Sequence, residues 1–591
     1  MIEVYAKHDS HDTFYRTPFG AVKSGSTVTL RIKAGGIENA ELALKFFDGS
    51  EQILSMTKAA GAEGHAFEGR VDIGDEYTGL INYYFILYAG QNVLYYGCQQ
   101  DGMGGTGKLY DAVPPPYQIT VYKGFTVPQW FKEGIVYQIF VDRFLNGNED
   151  GKVSNPKQNS FIYGCWDDDP MYIRNKEDDI ERWEFFGGNL KGVMAKLDYL
   201  KSLNVTAIYL NPIFEASSNH KYDTGDYKKI DPMYGDESLF KKLCIEAGKR
   251  GIKIILDGVF SHTGADSIYF NKFGRYDSIG AYQSKESPYY SWYRFTQYPY
   301  EYECWWNIKN LPNVNELAPS YQNFIIYDGD SVLKHWMNAG AYGWRLDVAD
   351  ELPDEFIEAF KAEMKQVNKD SVLIGEVWED ASNKVSYSRR RRYLFGNELD
   401  SVTNYPFRNA VIGFLRGDID STGFTRRMMS LYENYPRETF CAALNVLGTH
   451  DTERIFTVFE DKGENAYKYA KLAVVIQMTF PGVPLIYYGD EVGIKGGTDP
   501  DNRRTYPWGR ENDDILAFYK RMSDLRNTDI FDKGDFKFHP SGRDVLCYER
   551  SYEGSKAFVF INRNVERAVS VDVPTQGVSI DINALDFKIF M

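Results

Sequence analysis

The stretch AYGWRLDVADEL, residues 341–352, sets a full positive and a full negative charge inside a short apolar segment. Arg345 and Asp347 stand two apart, so on a strand they share one face. Such a pair is either a structural brace or a carboxylate kept ready for chemistry, and the surrounding pattern chooses. Working outward, short β-branched runs recur from about residue 130: GIVYQIF, VTAIYLNPIF, GIKIILDGVFSH, YGWRLDVAD, SVLIGEVW, LDSVTNYPF, ALNVLGTHD and VPLIYYGDE. Amphipathic stretches such as NLKGVMAKLDYLKSLN and SLFKKLCIEAGKRG lie between them. Eight strand–helix repeats predict an α/β protein, a (β/α)8 TIM barrel over residues 123–528. One connection is long: His262 to Tyr342 is roughly 80 residues rich in Tyr and Trp. It predicts an inserted lid subdomain after strand three, over about residues 263–341.

Both flanks read as β structure. Residues 1–122 alternate in STVTLRIKA, NAELALKFF and LINYYFILYAG, which predicts an N-terminal β-sandwich. After a last helix, DVLCYERSY, KAFVFINR and AVSVDVP predict a C-terminal β domain over residues 529–591. Near the first boundary, GMGGTGKL satisfies G-x-G-x-x-G and most of a phosphate-binding loop. Both motifs need a helix opening after the glycines. Here YDAVPPP follows, which cannot be helical, so a plain loop is the expectation.

The 591 residues carry a net charge of −16 without a basic tract, which argues against nucleic-acid partners. No run approaches a membrane span, and the amino terminus has no apolar stretch of signal-peptide length. Six scattered cysteines without C-x-x-C spacing predict a reduced, cytoplasmic protein. Aromatic residues make up 16%, and flat rings with polar edges suit sugar faces as well as cores.

The polar residues gather where each strand ends. Strand three ends in Asp257 and His262, strand four in Arg345 and Asp347, strand five in Glu376, strand seven in His450 and Asp451. In a barrel those ends form one rim, the place where chemistry is built. Asp347, Glu376 and Asp451 suit glycosidic bond cleavage, which needs one carboxylate to attack and one protonated carboxyl to donate. Arg345 is expected to depress the Asp347 pKa by ~1–3 units and keep it an anion. Apolar Ile374, Val377 and Trp378 around Glu376 are expected to lift it to roughly 6–7, as a general acid requires.

At these residues the sequence resembles the α-amylase superfamily of glycoside hydrolases (family 13). DGVFSH, GWRLDVAD, GEVW and GTHD stand in the family's order, with LPNVNE at the end of the insertion. SNHKYDTGDY, LPNVN and the N-terminal, starch-binding-like domain resemble cyclomaltodextrinases, neopullulanases and maltogenic amylases. The resemblance implies retaining cleavage of α-1,4 bonds in cyclodextrins, maltodextrins and pullulan, with transglycosylation as a side reaction. It implies Asp347 as nucleophile, Glu376 as acid/base and Asp451 as transition-state stabiliser. It further implies that Tyr222 stacks under the sugar, that His262, Arg345 and His450 bind its hydroxyls, and that Asp499 and Arg503 hold the next sugar outward. Trp378 is placed on the leaving-group side.

The resemblance also implies a calcium site from Asn146, Asn148 and Asp150 with Gly187 and Asn189. Asn189 replaces a usual Asp, and Lys157 excludes a helix–loop–helix calcium motif, so whether calcium binds stays open. The implied partners are an α-glucan and a second copy of the chain, paired through the N-terminal domain. Two alternatives stand beside this reading: a non-catalytic glucan-binding accessory protein, and a relative acting as an α-glucosidase or on α-1,6 bonds.

Overall fold

The computed structural model describes residues 4–59 and 66–591. Eight parallel strands form a barrel: β1 (Val136–Ile139), β2 (Ala207–Leu210), β3 (Lys253–Gly258), β4 (Gly343–Leu346), β5 (Val372–Gly375), β6 (Ser401–Val402), β7 (Leu444–Val446) and β8 (Val483–Tyr487). Each lies inside one of the eight runs quoted above. Pairing runs β6-β5-β4-β3-β2-β1-β8-β7, and a parallel bridge from Thr403 to Leu444 joins the two ends. Strands β1, β2, β4 and β5 are buried at every residue. Parallel barrel strands are covered on both faces, which is why they read as continuous apolar runs. The helix Glu237–Lys249 shows how the outer layer is made. The Asp236 carboxylate accepts the Leu239 N–H at 2.8 Å to start it. Phe240, Leu243 and Ala247 then face inward at helical spacing.

The insertion between β3 and β4 uses most of its rings on itself. Tyr269, Phe270, Trp292, Tyr293 and Tyr321 are buried, with edge contacts of 4.8 Å for Phe270–Tyr293 and 5.0 Å for Trp292–Tyr321. LPNVN then returns along the end of β3: the Thr263 N–H donates to the Pro312 carbonyl (3.1 Å) and the Val314 N–H to that of Ser261 (3.0 Å). A second long excursion, not anticipated from the sequence, joins β1 to β2. It holds two short strand pairs, Phe161–Ile162 with Glu184–Phe185 and Ile173–Arg174 with Ile180–Arg182. At the carboxyl end, Asp535–His539, Val545–Tyr552, Ser555–Asn562 and Asp586–Phe590 make one antiparallel sheet. With the pair Val569–Asp572 and Ser579–Ile582, it encloses Phe558, Phe560, Val573 and Ile582.

The chain divides into two compact units. One joins Met1–Thr126 to Glu379–Asp400 and Gly417–Cys441; the other holds Val127–Trp378, Ser401–Arg416 and Ala442–Met591. The first unit contains the sandwich, in which Val28, Leu30 and Ile32 of one sheet meet Leu42, Leu44, Ile81, Tyr83 and Phe85 of the other. The glycine loop belongs to it. Gly102, Gly104 and Gly105 adopt positive φ, and a strand, Lys108–Tyr110, follows them and pairs with Tyr95–Gly97. No helix opens there, so the phosphate-loop pattern has no structural counterpart.

The same unit buries an ion pair. Arg16 Nη1 donates to Glu433 Oε1 at 2.5 Å and to the Gln118 carbonyl at 2.9 Å, and His11 Nε2 lies 2.9 Å from Glu433 Oε2. Burial opposes charge on Glu433, but Arg16 and His11 outweigh it and hold the carboxyl below the usual glutamate range. Arg16→Ala strands that carboxylate and is expected to cost about 3–5 kcal/mol. The shift of the unit's urea transition reads the effect, and a loss under about 1 kcal/mol would assign the pair no structural weight. Among the described residues no helix is long and apolar enough to cross a membrane. All six cysteines are unpaired.

Candidate active site

Barrel register builds the site. Arg345 on β4 is paired with Asp257 on β3 and with Ile374 on β5, so the ends of three strands converge on one guanidinium. Arg345 Nη1 donates to Asp347 Oδ1 at 2.7 Å and to Asp257 Oδ1 at 2.8 Å. Its Nη2 lies 2.8 Å from Glu376 Oε2. Backbone bonds hold the acids in place: the Asp347 N–H donates to the Gly258 carbonyl and the Glu376 N–H to that of Leu346, at 3.0 and 3.1 Å. Val348, next in line, is left-handed at φ 36°, ψ 68°, and its N–H reaches Glu376 Oε2 at 2.8 Å. A β-branched residue in that region costs on the order of 1–3 kcal/mol, a strain typical of functional sites.

One electrostatic expectation needs correction. Asp347 is not held low by Arg345. Burial pushes its carboxyl well above the ordinary aspartate value, Glu376 and Asp257 push the same way, and Arg345 only opposes them. The arginine sits among three carboxyls, and at Asp347 the other two offset part of what it supplies. Glu376, buried between Ile374 and Val377, also has polar partners. It accepts from the Val348 N–H, lies against Arg345, and takes the Trp378 indole N–H on Oε1 at 3.1 Å. Asp347 and Asp257, both buried beside further carboxyls, are held above the ordinary aspartate value.

Asp257, which the sequence places at the rim without a role, is central. It accepts from Tyr209 Oη at 2.5 Å and Tyr222 Oη at 2.9 Å as well as from Arg345. Tyr222 also takes a bond from Asn211 Nδ2 (3.0 Å) and stands 2.6 Å from His450 Nε2. Gln138 Nε2 donates to His450 Nδ1 at 2.9 Å, which leaves the ring proton on Nε2, facing Tyr222 and Asp451. Burial, with Arg503 and Arg345 adding to it, keeps His450 neutral. Burial likewise lowers His262 to about 4; its Nε2 donates to the Tyr222 carbonyl at 3.0 Å and its Nδ1 lies 3.0 Å from Ser261 Oγ. The rings of Tyr222 and His450 are parallel within 6° at 5.3 Å.

Asp451 lies 3.1 Å from His450 Nε2 and 3.5 Å from Arg503 Nη2, with about a third of its side chain open to solvent. Arg503 pairs with Asp499 at 2.9 Å. Tyr172, from the β1–β2 excursion, donates its hydroxyl to Asp499 at 2.7 Å. Nothing local in the sequence announces that contact. Trp378 stacks on Tyr405 at 3.9 Å and 4°, a partner likewise absent from the sequence reading.

Comparison with known proteins shows the family of the barrel. The family described as "Alpha amylase, catalytic domain" matches residues 138–523. The chain belongs to the α-amylase family. Amylopullulanase of Thermoanaerobacterium thermosulfurigenes is 41% identical over 96% of the chain, which spans 34% of that relative's length. Neopullulanase 2 of Thermoactinomyces vulgaris is 33% identical over 93% of the chain and 90% of its own. A solved cyclomaltodextrinase superposes with a TM-score of 0.69 at 28% identity, covering 99% of this chain and 98% of that one.

In this α-amylase family member, the segment for which the sequence resemblance implies calcium is closed by its own hydrogen bonds. Asn146 Oδ1 accepts from the Asn148 N–H and from Asn189 Nδ2, while Asn146 Nδ2 donates to the carbonyls of Gly151 and Lys152. Asn189 Oδ1 accepts from the N–H groups of Gly147 and Gly192. Asp150 Oδ1 takes the Lys152 N–H, and Asn148 Nδ2 donates to the Lys152 carbonyl and Ser154 Oγ. Gly187 spends its N–H on Asp142 Oδ1. The side-chain oxygens of Asn146, Asn189 and Asp150 are each taken by N–H donors of the segment, so a hard cation would have to displace those bonds to be held here. Among the described residues, no three or more His, Cys, Asp or Glu side chains are grouped to hold a metal.

Proposed function

We propose that the protein is a retaining α-glucan hydrolase that cleaves α-1,4 bonds of maltodextrins, cyclodextrins and pullulan. One observation carries the reading: a single guanidinium bridges Asp347 and Glu376. Two carboxyls on one fork suit the spacing of about 5–5.5 Å that retaining glycosidases use. In the first step Asp347 attacks the anomeric carbon while the Glu376 proton passes to the leaving oxygen. In the second, water attacks the same carbon, gives its proton to Glu376 and frees Asp347. Asp451 faces the positive charge that builds on the ring. Tyr222, His262, Arg345 and His450 hold that sugar, Asp499 and Arg503 its neighbour, and Trp378 the leaving part.

The deciding experiment is a product analysis on maltotriose, β-cyclodextrin, soluble starch and pullulan. New reducing ends from maltotriose and cyclodextrin, with panose from pullulan, are expected. No product from any of the four would overturn the reading in favour of a glucan-binding accessory. A second bond type has support: identity to amylopullulanase, 41%, exceeds the 33% to neopullulanase 2. Maltotriose released from pullulan would assign α-1,6 cleavage to the same rim.

The raised Asp347 carboxyl bears on pH. The nucleophile must be ionised, so activity is lost as pH falls through its raised value. The acid limb of kcat/KM is therefore expected above the ordinary aspartate value of about 3.9; a limb below it would contradict the crowding of carboxyls. The closed asparagine loop supports calcium-independent folding. EDTA is expected to leave Tm and maltotriose turnover unchanged, and a Tm drop reversed by calcium would contradict this. Pairing of two copies through residues 1–122, implied by the family resemblance, belongs to this proposal and is read from the native mass in solution. Cytoplasmic residence is supported by the six unpaired cysteines.

A further inference from the structure

We infer that the indole N–H of Trp378 fixes the proton-carrying oxygen of Glu376, which makes Trp378 a positioning residue for proton transfer as well as a surface for sugar. The inference rests on the reading of Glu376 as general acid. The two oxygens of Glu376 stand in different surroundings. Oε2 meets two donors that cannot accept, Arg345 Nη2 and the Val348 N–H, both at 2.8 Å. A proton on Oε2 would point into them. Oε1 has one partner among the described residues, Trp378 Nε1 at 3.1 Å. One lone pair of Oε1 takes the indole, and the other is left to carry the proton.

The indole is itself held. Its plane lies 4° from that of Tyr405 at 3.9 Å. Tyr405 is buried, with its hydroxyl 3.3 Å from Thr449 Oγ1. The opposite indole face is open, and Trp378 is 44% exposed. Turning the ring to release Glu376 breaks the stack, so the N–H direction is set by Tyr405. The charged and titratable groups around Glu376 are Arg345 and Asp347 from the end of β4, Asp257 from β3, Asp451 beyond β7, and the hydroxyls of Tyr209 and Tyr405. None of them is bonded to Oε1.

In the glycosylation step the Oε1–H bond breaks, its proton joins the glycosidic oxygen, and the C–O bond electrons leave with the departing sugar. The bond to Asp347 forms in the same step. The carboxylate charge left on Oε1 appears where the indole N–H already points, so the contact strengthens as the proton departs.

Trp378→Phe keeps the ring against Tyr405 and removes the N–H. We compare first-turnover cleavage of maltotriose, whose leaving sugar needs the proton, with first-turnover fluoride release from α-maltosyl fluoride, whose leaving group does not. Expected is a loss of about tenfold in the maltotriose step, with KM changed less than threefold and fluoride release near wild type. Normal fluoride release also shows that the variant is folded. Equal loss on both substrates, or an effect confined to KM, overturns the inference and leaves Trp378 a platform only. Tyr405→Leu, which frees the indole plane but keeps the N–H, is expected to show the same split in smaller measure. No split in this second variant overturns the shelf role of Tyr405. Glu376→Gln separates the two readings: first-turnover fluoride release spared in it supports the acid assignment, and first-turnover release lost in it overturns that assignment whatever Trp378→Phe does, since the base role of Glu376 enters only in later turnovers.

Discussion

Asp347→Asn is expected to lower kcat on maltotriose by on the order of 10⁴–10⁶-fold, the scale on which removal of a nucleophile is felt. An amide cannot open the acetal from the face opposite the leaving oxygen, and no other carboxyl on the rim is set to replace it. Asp257 is held by Tyr209, Tyr222 and Arg345, all of which approach its oxygens as donors. The fold is expected to survive. Arg345 keeps Asp257 and Glu376 as partners, and the amide oxygen of Asn can still accept its third bond. Initial-rate measurement with a check of Tm distinguishes lost chemistry from lost structure. Residual activity above about one hundredth of wild type would move the nucleophile elsewhere.

Glu376→Gln is expected to lower kcat on maltotriose by ~10²–10⁴-fold, the contribution of a positioned general acid. The loss is smaller than for Asp347 because the attacking group remains. Glutamine also retains an oxygen for the Arg345 and Val348 donors, so the strained turn at Val348 keeps its anchor. The deficit falls on substrates whose leaving oxygen needs a proton. Near-normal maltotriose turnover would remove Glu376 from the mechanism.

The barrel was legible because its strands are covered on both faces and read as eight apolar runs bounded by polar ends. The acids were legible for the same reason, since a charge that ends such a run stands out. What the sequence did not carry is the pairing across strands. Arg345 and Asp347 look like a self-contained pair because they are two apart, yet register adds Asp257, 88 residues away, and Glu376, on the next strand. Burial, with the neighbouring carboxyls adding to it, reversed the expected direction of the Asp347 shift. Tyr172 was hidden similarly: it lies in a polar loop and meets Asp499 across 327 residues. Trp378 was placed on the leaving-group side, but its contact with Glu376 depends on Tyr405, which the fold alone delivers. In the segment for which the resemblance implies calcium, the hydrogen bonds made by the amides could be seen only once Asn146 and Asn189 were side by side.

The most direct measurement is the site of covalent attachment. A fluorinated maltosyl fluoride, which forms the glycosyl-enzyme readily and releases it slowly, is incubated with the protein, and the labelled peptide is located by mass spectrometry. A maltosyl adduct on Asp347 is the expected result. An adduct on Glu376 or Asp451, or cleavage that inverts the anomeric centre with no adduct at all, would contradict the assignment of the two carboxyls.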